Sequence, residues 1–216
     1  EITLGQLARA VGDNFAHDPR LRERLAGCEK FGNDNARVDR LGGELAGLFD
    51  RVISAHGNTR GGRWVPGAYS MTCHRSMGRK SGALPSGRRA GEAFADGVAP
   101  SDGSDCLGPT ASLNSVTKLD PRHTPNGVNL NLKLDANTVK GQKGARLLEG
   151  LVRGYFAQGG MQVQINVLDA KILRQAQDDP QKHRNLLVRI SGYSAYFVEL
   201  SPELQDEIIA RTLQAA

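Results

Sequence analysis

The chain of 216 residues offers few side chains whose types and spacing could do chemistry. Cys28, Cys73 and Cys106 lack any paired spacing. Cys73 and His74 are adjacent, which is poor geometry for zinc, and no other Cys or His completes a four-ligand set. There is no phosphate-loop lysine, no Gly-x-Ser-x-Gly elbow and no His-Glu-x-x-His pair. Gly141-Gln142-Lys143-Gly144 is a weak phosphate signal and reads better as the entry to a helix. The densest pattern is Leu187-Val188-Arg189-Ile190-Ser191-Gly192-Tyr193-Ser194-Ala195-Tyr196-Phe197. On its own, Gly192 reads as a turn residue at a strand end.

The elements that must position these residues follow from periodicity. Leu186 to Ile190 is a short apolar run with one charge, which predicts a buried strand. Ser201 then offers an N-cap, Pro202 a first helical residue and Glu203 a charge facing the positive helix end. Leu204, Ile208, Ile209 and Leu213 give that last helix an apolar stripe. Upstream, Val128 to Leu134 alternate with polar residues as a strand does, and Leu147 to Phe156 form a helical stripe ending at Gly159-Gly160. Met161 to Val167 alternate again, and Ala170 to Ala176 predicts another helix. This alternation predicts parallel β-α units continuing to the Leu186 strand. Gln162, Gln164 and Asn166 would then need partners, either the Gly192 stretch or water on a half-exposed edge.

Earlier in the chain, two helices are expected within residues 3 to 26, broken near Asp13-Asn14 and Asp18-Pro19. Asp34 or Asn33 should cap a helix carrying Val38, Leu41, Leu45, Leu48, Val52 and Ile53, with Gly42-Gly43 weakening its first half. Residues 63 to 74 read as a strand and its exit. Residues 78 to 120 read as a long ordered loop rich in turn residues, of the kind that carries function, with a short helix from Gly108-Pro109-Thr110 through Val116.

The stretch from Leu187 to Phe197 closely resembles the glycyl radical loop of the pyruvate formate-lyase-like glycyl radical enzymes, whose Arg-Val-Ser-Gly-Tyr-Ser/Ala motif carries the radical on its glycine. Further segments resemble family motifs in family order. Lys30-Phe31-Gly32-Asn33-Asp34 is similar to Lys-Tyr/Phe-Gly-Asn-Asp, and Pro66-Gly67-Ala68-Tyr69-Ser70 to Pro-Gly-x-Tyr-Ser. Pro85-Ser86-Gly87-Arg88 is similar to Pro-Asp-Gly-Arg, with Ser86 in place of the usual aspartate. Asp96-Gly97-Val98-Ala99-Pro100 is similar to Asp-Gly-Ile-Ser-Pro, and Gly108 to Ala111 matches Gly-Pro-Thr-Ala. The resemblance runs from about Cys28 to the end of the chain. It implies the C-terminal part of a ten-stranded α/β barrel, with residues 1–85 closing the barrel domain and 86–216 forming the glycyl radical domain.

Radical chemistry explains the glycine. Loss of a Cα hydrogen leaves a centre delocalised over both flanking peptides, which must be planar, and a Cβ would obstruct it. The resemblance therefore assigns Gly192 as the radical carrier. Arg189, Ser191, Tyr193 and Ser194 become its support, with Gln162, Gln164 and Asn166 as further candidates. Tyr69 matches the tyrosine that lies in the substrate pocket of diol-dehydrating members, where its phenol would donate a hydrogen bond to substrate; equally open is a packed tyrosine whose hydroxyl finds a local partner. These enzymes also use a thiyl-forming cysteine, but Cys28 sits directly before the Phe-Gly-Asn-Asp motif rather than far upstream of it. We read Cys28 as structural, a small buried hydrophobe, and place the thiyl residue outside this chain.

The resemblance implies no bound metal or cofactor. A radical-SAM activating enzyme carrying a 4Fe-4S cluster would install the radical. It also implies a partner region bearing the barrel and the thiyl cysteine, a homodimer when complete, and anaerobic metabolism; the three cysteines without paired spacing favour a reducing, cytoplasmic setting. C–O or C–X elimination on a small substrate is the first reading, and formate C-acetyltransferase activity the second. A third makes the chain a stand-alone, radical-bearing spare part that repairs a larger enzyme. Because Glu1 is not preceded by an initiator methionine, the chain is expected to be a piece of a longer polypeptide. The formal charge of +5 concentrates in Arg75, Arg79, Lys80, Arg88 and Arg89 without interleaved aromatics, so no nucleic-acid partner is expected. No apolar run of membrane length or signal peptide occurs, and membrane association is not expected either.

Overall fold

The computed structural model describes residues 2–71, 73–189 and 194–213. Two helices open the chain, α1 (Leu4–Gly12) and α2 (Pro19–Ala26). Thr3 and Gln6 form a reciprocal capping box on α1, and the Asp18 side chain caps α2 ahead of Pro19. They close over a small cluster of Ala10, Phe15, Leu21 and Ala83.

Helix α3 (Ala36–Ser54) is capped by Asn35 rather than by Asn33 or Asp34. The reason is local: Asp34 takes a positive φ of 52° and its carboxylate is bound by Asn114 and Lys118, while the Asn33 amide is committed to a distant loop. Gly42 and Gly43 do not weaken α3. A Cβ on Gly42 would lie 3.0 Å from Leu119, and one on Gly43 would lie 2.7 Å from the Lys118 carbonyl, so the pair lets the helix approach the chain behind it.

The strand expected over residues 63 to 74 does not form. Ala68 makes a single parallel bridge to Val128, Pro66 has no N–H to donate, and Cys73–Arg79 is a helix, α4. Helix α5 (Gly108–Thr117) follows the long loop as expected.

The centre of the molecule is a β-α-β unit. β1 (Asn131–Asp135) pairs in parallel with β2 (Gln164–Leu168), Leu132 opposite Ile165, and α6 (Gly141–Ala157) makes the crossover. Leu130, Leu132 and Leu134 point into a core with Val98, Leu113, Val116, Leu151 and Tyr155, and Phe31 and Ala68 pack on its edge. Residues on either side of position 85 therefore share one core.

Helix α7 (Ala170–Asp178) leads to β3 (Leu187–Arg189). This strand does not continue the parallel sheet. It pairs antiparallel with β4 (Ser194–Tyr196) as a separate two-stranded ribbon, because its partner lies just downstream in the chain. A one-turn 3-10 helix over Phe197–Glu199 and α8 (Pro202–Leu213) complete the structure. The Ser201 carbonyl accepts from the amides of Leu204 and Gln205, opening α8 where Pro202 predicts.

Candidate functional site

β3 and β4 frame the Gly192 stretch. Leu187 lies opposite Tyr196, Val188 opposite Ala195 and Arg189 opposite Ser194, so residues 190–193 fall between the paired ends. Ser191, Gly192 and Tyr193 lie outside the described residues. Arg189 is placed through its backbone, and Ser194 is exposed. The ribbon rests on its own core of Leu173, Ala176, Val188, Phe197, Ile208 and Ile209. The Phe197 amide donates to the Leu186 carbonyl at 2.8 Å, extending the pairing by one step. Gln205 Nε2 donates to the carbonyls of Phe197 at 2.9 Å and Leu200 at 3.2 Å, fastening α8 to the exit of β4. Gln177 Nε2 donates to Asp206 at 2.8 Å and joins α7 to α8.

The three amides of the preceding segment have described partners of their own. Gln162 Oε1 accepts from the Leu130 amide at 2.8 Å, and the Gln164 amide donates to the Leu130 carbonyl at 2.8 Å, so Gln162 supplies a ladder contact where β2 has not yet begun. Gln164 Nε2 donates to Asn166 Oδ1 at 3.5 Å, and Asn166 is buried.

Tyr69 is half exposed, and its phenol oxygen accepts from Asn126 Nδ2 at 3.0 Å. That leaves the phenolic hydrogen available to a ligand. Directly after it comes a buried polar network that residue types alone did not reveal. Ser70 Oγ donates to Asp96 Oδ1 at 2.5 Å, Asn131 Nδ2 donates to Asp96 Oδ2 at 2.6 Å, and the Gly97 amide donates to Ser70 Oγ at 3.1 Å. His74 Nδ1 lies 3.2 Å from Ser70 Oγ. The Ser70 hydroxyl has one hydrogen, already committed to Asp96, so the contact assigns the proton to His74 Nδ1, which donates to serine. This is the reverse of a hydrolytic Ser-His-Asp arrangement, in which imidazole accepts the hydroxyl proton. The network instead fixes the loop: Gly97 has φ 62°, and a Cβ there would meet the Asn129 carbonyl at 2.2 Å. The signal was present in the order of the Tyr69-Ser70 and Asp96-Gly97 pairs, but not their proximity.

A second lock ties the Phe31-Gly32-Asn33-Asp34 segment to the same long loop. Asn33 Oδ1 accepts from the amides of Cys106 at 2.8 Å and Leu107 at 3.1 Å, and its Nδ2 donates to the Ser104 carbonyl at 2.6 Å. The Ser115 hydroxyl accepts from the Asp34 amide at 2.9 Å. Lys118 bridges Asp34 and the fully buried Asp39, the latter at 3.0 Å. The hydrogen bond from Lys118, assisted by Asn114, holds the Asp34 carboxyl below its ordinary value, and the same bond raises the Lys118 ammonium.

Ser86, the departure from the aspartate pattern, is exposed. Its turn closes through backbone bonds from Gly87 to Leu84 at 3.0 Å and from Leu84 to Arg88 at 2.9 Å, so no aspartate side chain is needed. Arg88, counted above within a basic cluster, donates to the carbonyls of Gly82 and Gly78 at 2.8 Å each and lies 4.2 Å over the Phe94 ring. Cys28 is exposed, with Sγ donating to the Arg24 carbonyl at 3.3 Å, which corrects its reading as a buried apolar residue.

Residues 94–198 match the family described as "Glycine radical", and residues 1–78 match the one described as "Pyruvate formate lyase-like". The chain is 42% identical over 193 residues to the indoleacetate decarboxylase of Tractidigestivibacter scatoligenes, covering 89% of this chain and 22% of that protein. It is 37% identical to the trans-4-hydroxy-L-proline dehydratase of Clostridioides difficile, covering 99% of this chain and 27% of that one. Its fold superposes on the glycerol-bound B12-independent glycerol dehydratase of Clostridium butyricum with a TM-score of 0.92 at 42% identity, over 97% of this chain and 27% of the other. The chain thus spans about a quarter of the length of the relatives it matches. Among the described residues no helix is long and apolar enough to cross a membrane, and no group of three or more His, Cys, Asp or Glu could hold a metal ion.

Proposed function

This chain belongs to the pyruvate formate-lyase-like glycyl radical enzymes, and from that membership we propose that Gly192 stores a backbone radical for C–O or C–X bond elimination on a small organic substrate. The carrying observation is that the glycine radical match runs through Gly192 while β3 and β4 bracket residues 190–193 on a core of their own. A radical-SAM activating enzyme, using SAM and its 4Fe-4S cluster, removes one hydrogen atom from Gly192 Cα. The glycyl radical then takes the hydrogen of a cysteine thiol outside this chain. The resulting thiyl takes a hydrogen atom from the substrate carbon next to the leaving group.

Elimination fits the company of the chain, which includes the dehydratase of hydroxyproline and, at 35% identity, the (2S)-3-sulfopropanediol dehydratase of Klebsiella oxytoca. A second reading, decarboxylation, is favoured by the 42% identity to indoleacetate decarboxylase. Tyr69 is proposed to face the substrate with its uncommitted phenolic hydrogen, and Arg189, Ser191, Tyr193 and Ser194 to hold the radical backbone, with Gln162, Gln164 and Asn166 supporting it from behind. The larger barrel region with the thiyl cysteine is the required partner, in a homodimeric cytoplasmic enzyme of anaerobic metabolism that needs no resident cofactor.

The test is anaerobic activation of the complete assembly with SAM, reductant and the matched activating enzyme. A doublet radical signal is expected, followed on air exposure by main-chain scission at Gly192. Gly192→Ala should abolish both, since the added methyl obstructs the planar centre. The same doublet and the same cut in the alanine variant would place the radical elsewhere.

A further inference from the structure

Helix α3 is amphipathic the wrong way round for a helix that packs only on this chain. The side turned to the body carries Asp39, which is fully buried, and Gly42, Gly43 and Gly47, where a Cβ would meet Leu119, the Lys118 carbonyl and the His123 ring at 3.0, 2.7 and 3.3 Å. Asp50 on the same side meets His123 Nδ1 at 3.0 Å. The opposite side carries Leu41, Leu45, Leu48, Phe49 and Val52, which are 49, 66, 48, 50 and 52% exposed. These positions follow the i, i+4, i+7, i+11 spacing of one helix face. Half-exposed side chains of this size give a patch on the order of 500 Å², the scale at which a contiguous apolar surface marks an interaction site.

We propose that this face of α3 docks the larger, barrel-bearing part of a glycyl radical enzyme, whether joined to the chain or held as a separate polypeptide. The proposal rests on the family membership above. Length and shape favour this occupant over a second copy of the chain. The chain superposes over 97% of itself on the Clostridium butyricum enzyme and accounts for 27% of it, so about three quarters of such an enzyme is polypeptide that this fold must meet. A helix that gives its glycines to its own chain and its leucines to the outside is built to be sandwiched between the two. The patch alone is smaller than the roughly 800 Å² per partner of a standard specific interface, which suits one contact within a larger junction better than a self-sufficient dimer seam.

The experiment places a photoactivatable benzophenone on Leu48→Cys, and separately on Leu45→Cys, in the assembly purified from cells carrying the complete natural reading frame. Cross-linked peptides are then identified by mass spectrometry. Cross-links to glycyl radical enzyme sequence outside residues 1–216 are the expected result. The Leu48→Cys thiol should also react with maleimide at least about tenfold more slowly in the native assembly than after denaturation, as burial in an interface requires. Cross-links to residues 1–216 of another copy, to an unrelated protein, or none at all with full thiol reactivity, would each overturn the proposal. The radical doublet of the same preparation reports the Gly192 reading separately, so a doublet without the expected cross-links would sink the docking face alone.

Discussion

The molecule has two cores of unlike construction. The larger draws on stretches scattered through the chain, from Phe31 and Ala68 through Val98 and Leu113 to Leu130, Leu151 and Tyr155, around a parallel pair that needs a helical crossover. The smaller, which carries the frame of Gly192, uses only residues from Leu173 to Ile209 and an antiparallel ribbon whose strands are nearly adjacent in sequence. A core assembled from distant segments opens only when much of the fold opens. One assembled from a continuous segment can open by itself. The proposed radical glycine thus falls, in sequence, between the two strands of the core that can open by itself.

A matched pair of cavities should separate the two cores most strongly. Phe197 is fully buried in the small core, and Leu130 is 1% exposed in the large one. Phe197→Ala should cost about 4 kcal/mol and Leu130→Ala about 3 kcal/mol. Amide hydrogen exchange should separate them: Phe197→Ala should release α7, β3, β4 and α8 while β1, β2 and α6 stay protected, and Leu130→Ala should loosen both. Equal loss of protection everywhere in the Phe197 variant would show one cooperative unit.

A smaller effect sharpens the picture at the exit of β4. Gln205→Leu removes both donations to the Phe197 and Leu200 carbonyls and should cost about 1–2 kcal/mol, read as faster exchange in α8 with β1 unchanged. The smallest effect belongs to the other end of the molecule. Asp34 is held below its ordinary value of 3.8, so its contribution is fully present above that pH and is lost as pH falls through the lower folded value. An acid titration should therefore show the Asp34–Lys118 tie weakening only below about pH 4, with Asp34→Asn removing that pH dependence and leaving the Gly192 frame untouched.

Much of this was legible in the sequence. Spacing located α5, α6, the parallel strands and the start of α8, because each depends on neighbours within a few turns. The motif order pointed to the family that the comparisons show. What spacing could not supply was orientation and partnership. It named the apolar stripe of α3 but not that three glycines would turn it away from the body. It read residues 63 to 74 as a strand and its exit without the ladder partner that a strand requires. It placed Ser70 and Asp96 in separate motifs, set His74 aside as a zinc ligand and left Asn131 among the polar residues of an alternating strand, since nothing local says that these side chains meet at the Asp96 carboxylate.

Gly192 stands in the chain between the residues that build the small core, which under the proposed radical chemistry has a consequence for damage. Leu173, Ala176 and Val188 stand before it in the chain, and Phe197, Ile208 and Ile209 after it, all in one buried cluster. Severing the backbone between the two groups leaves that cluster, the Leu187–Tyr196 pairing and the Gln205 clasp in place. An oxygen-cut molecule would keep its shape and its mass in native solution, its last two dozen residues held as a non-covalent plug, and would betray the break only when denatured. Any process that restores such an enzyme must first draw out the plug.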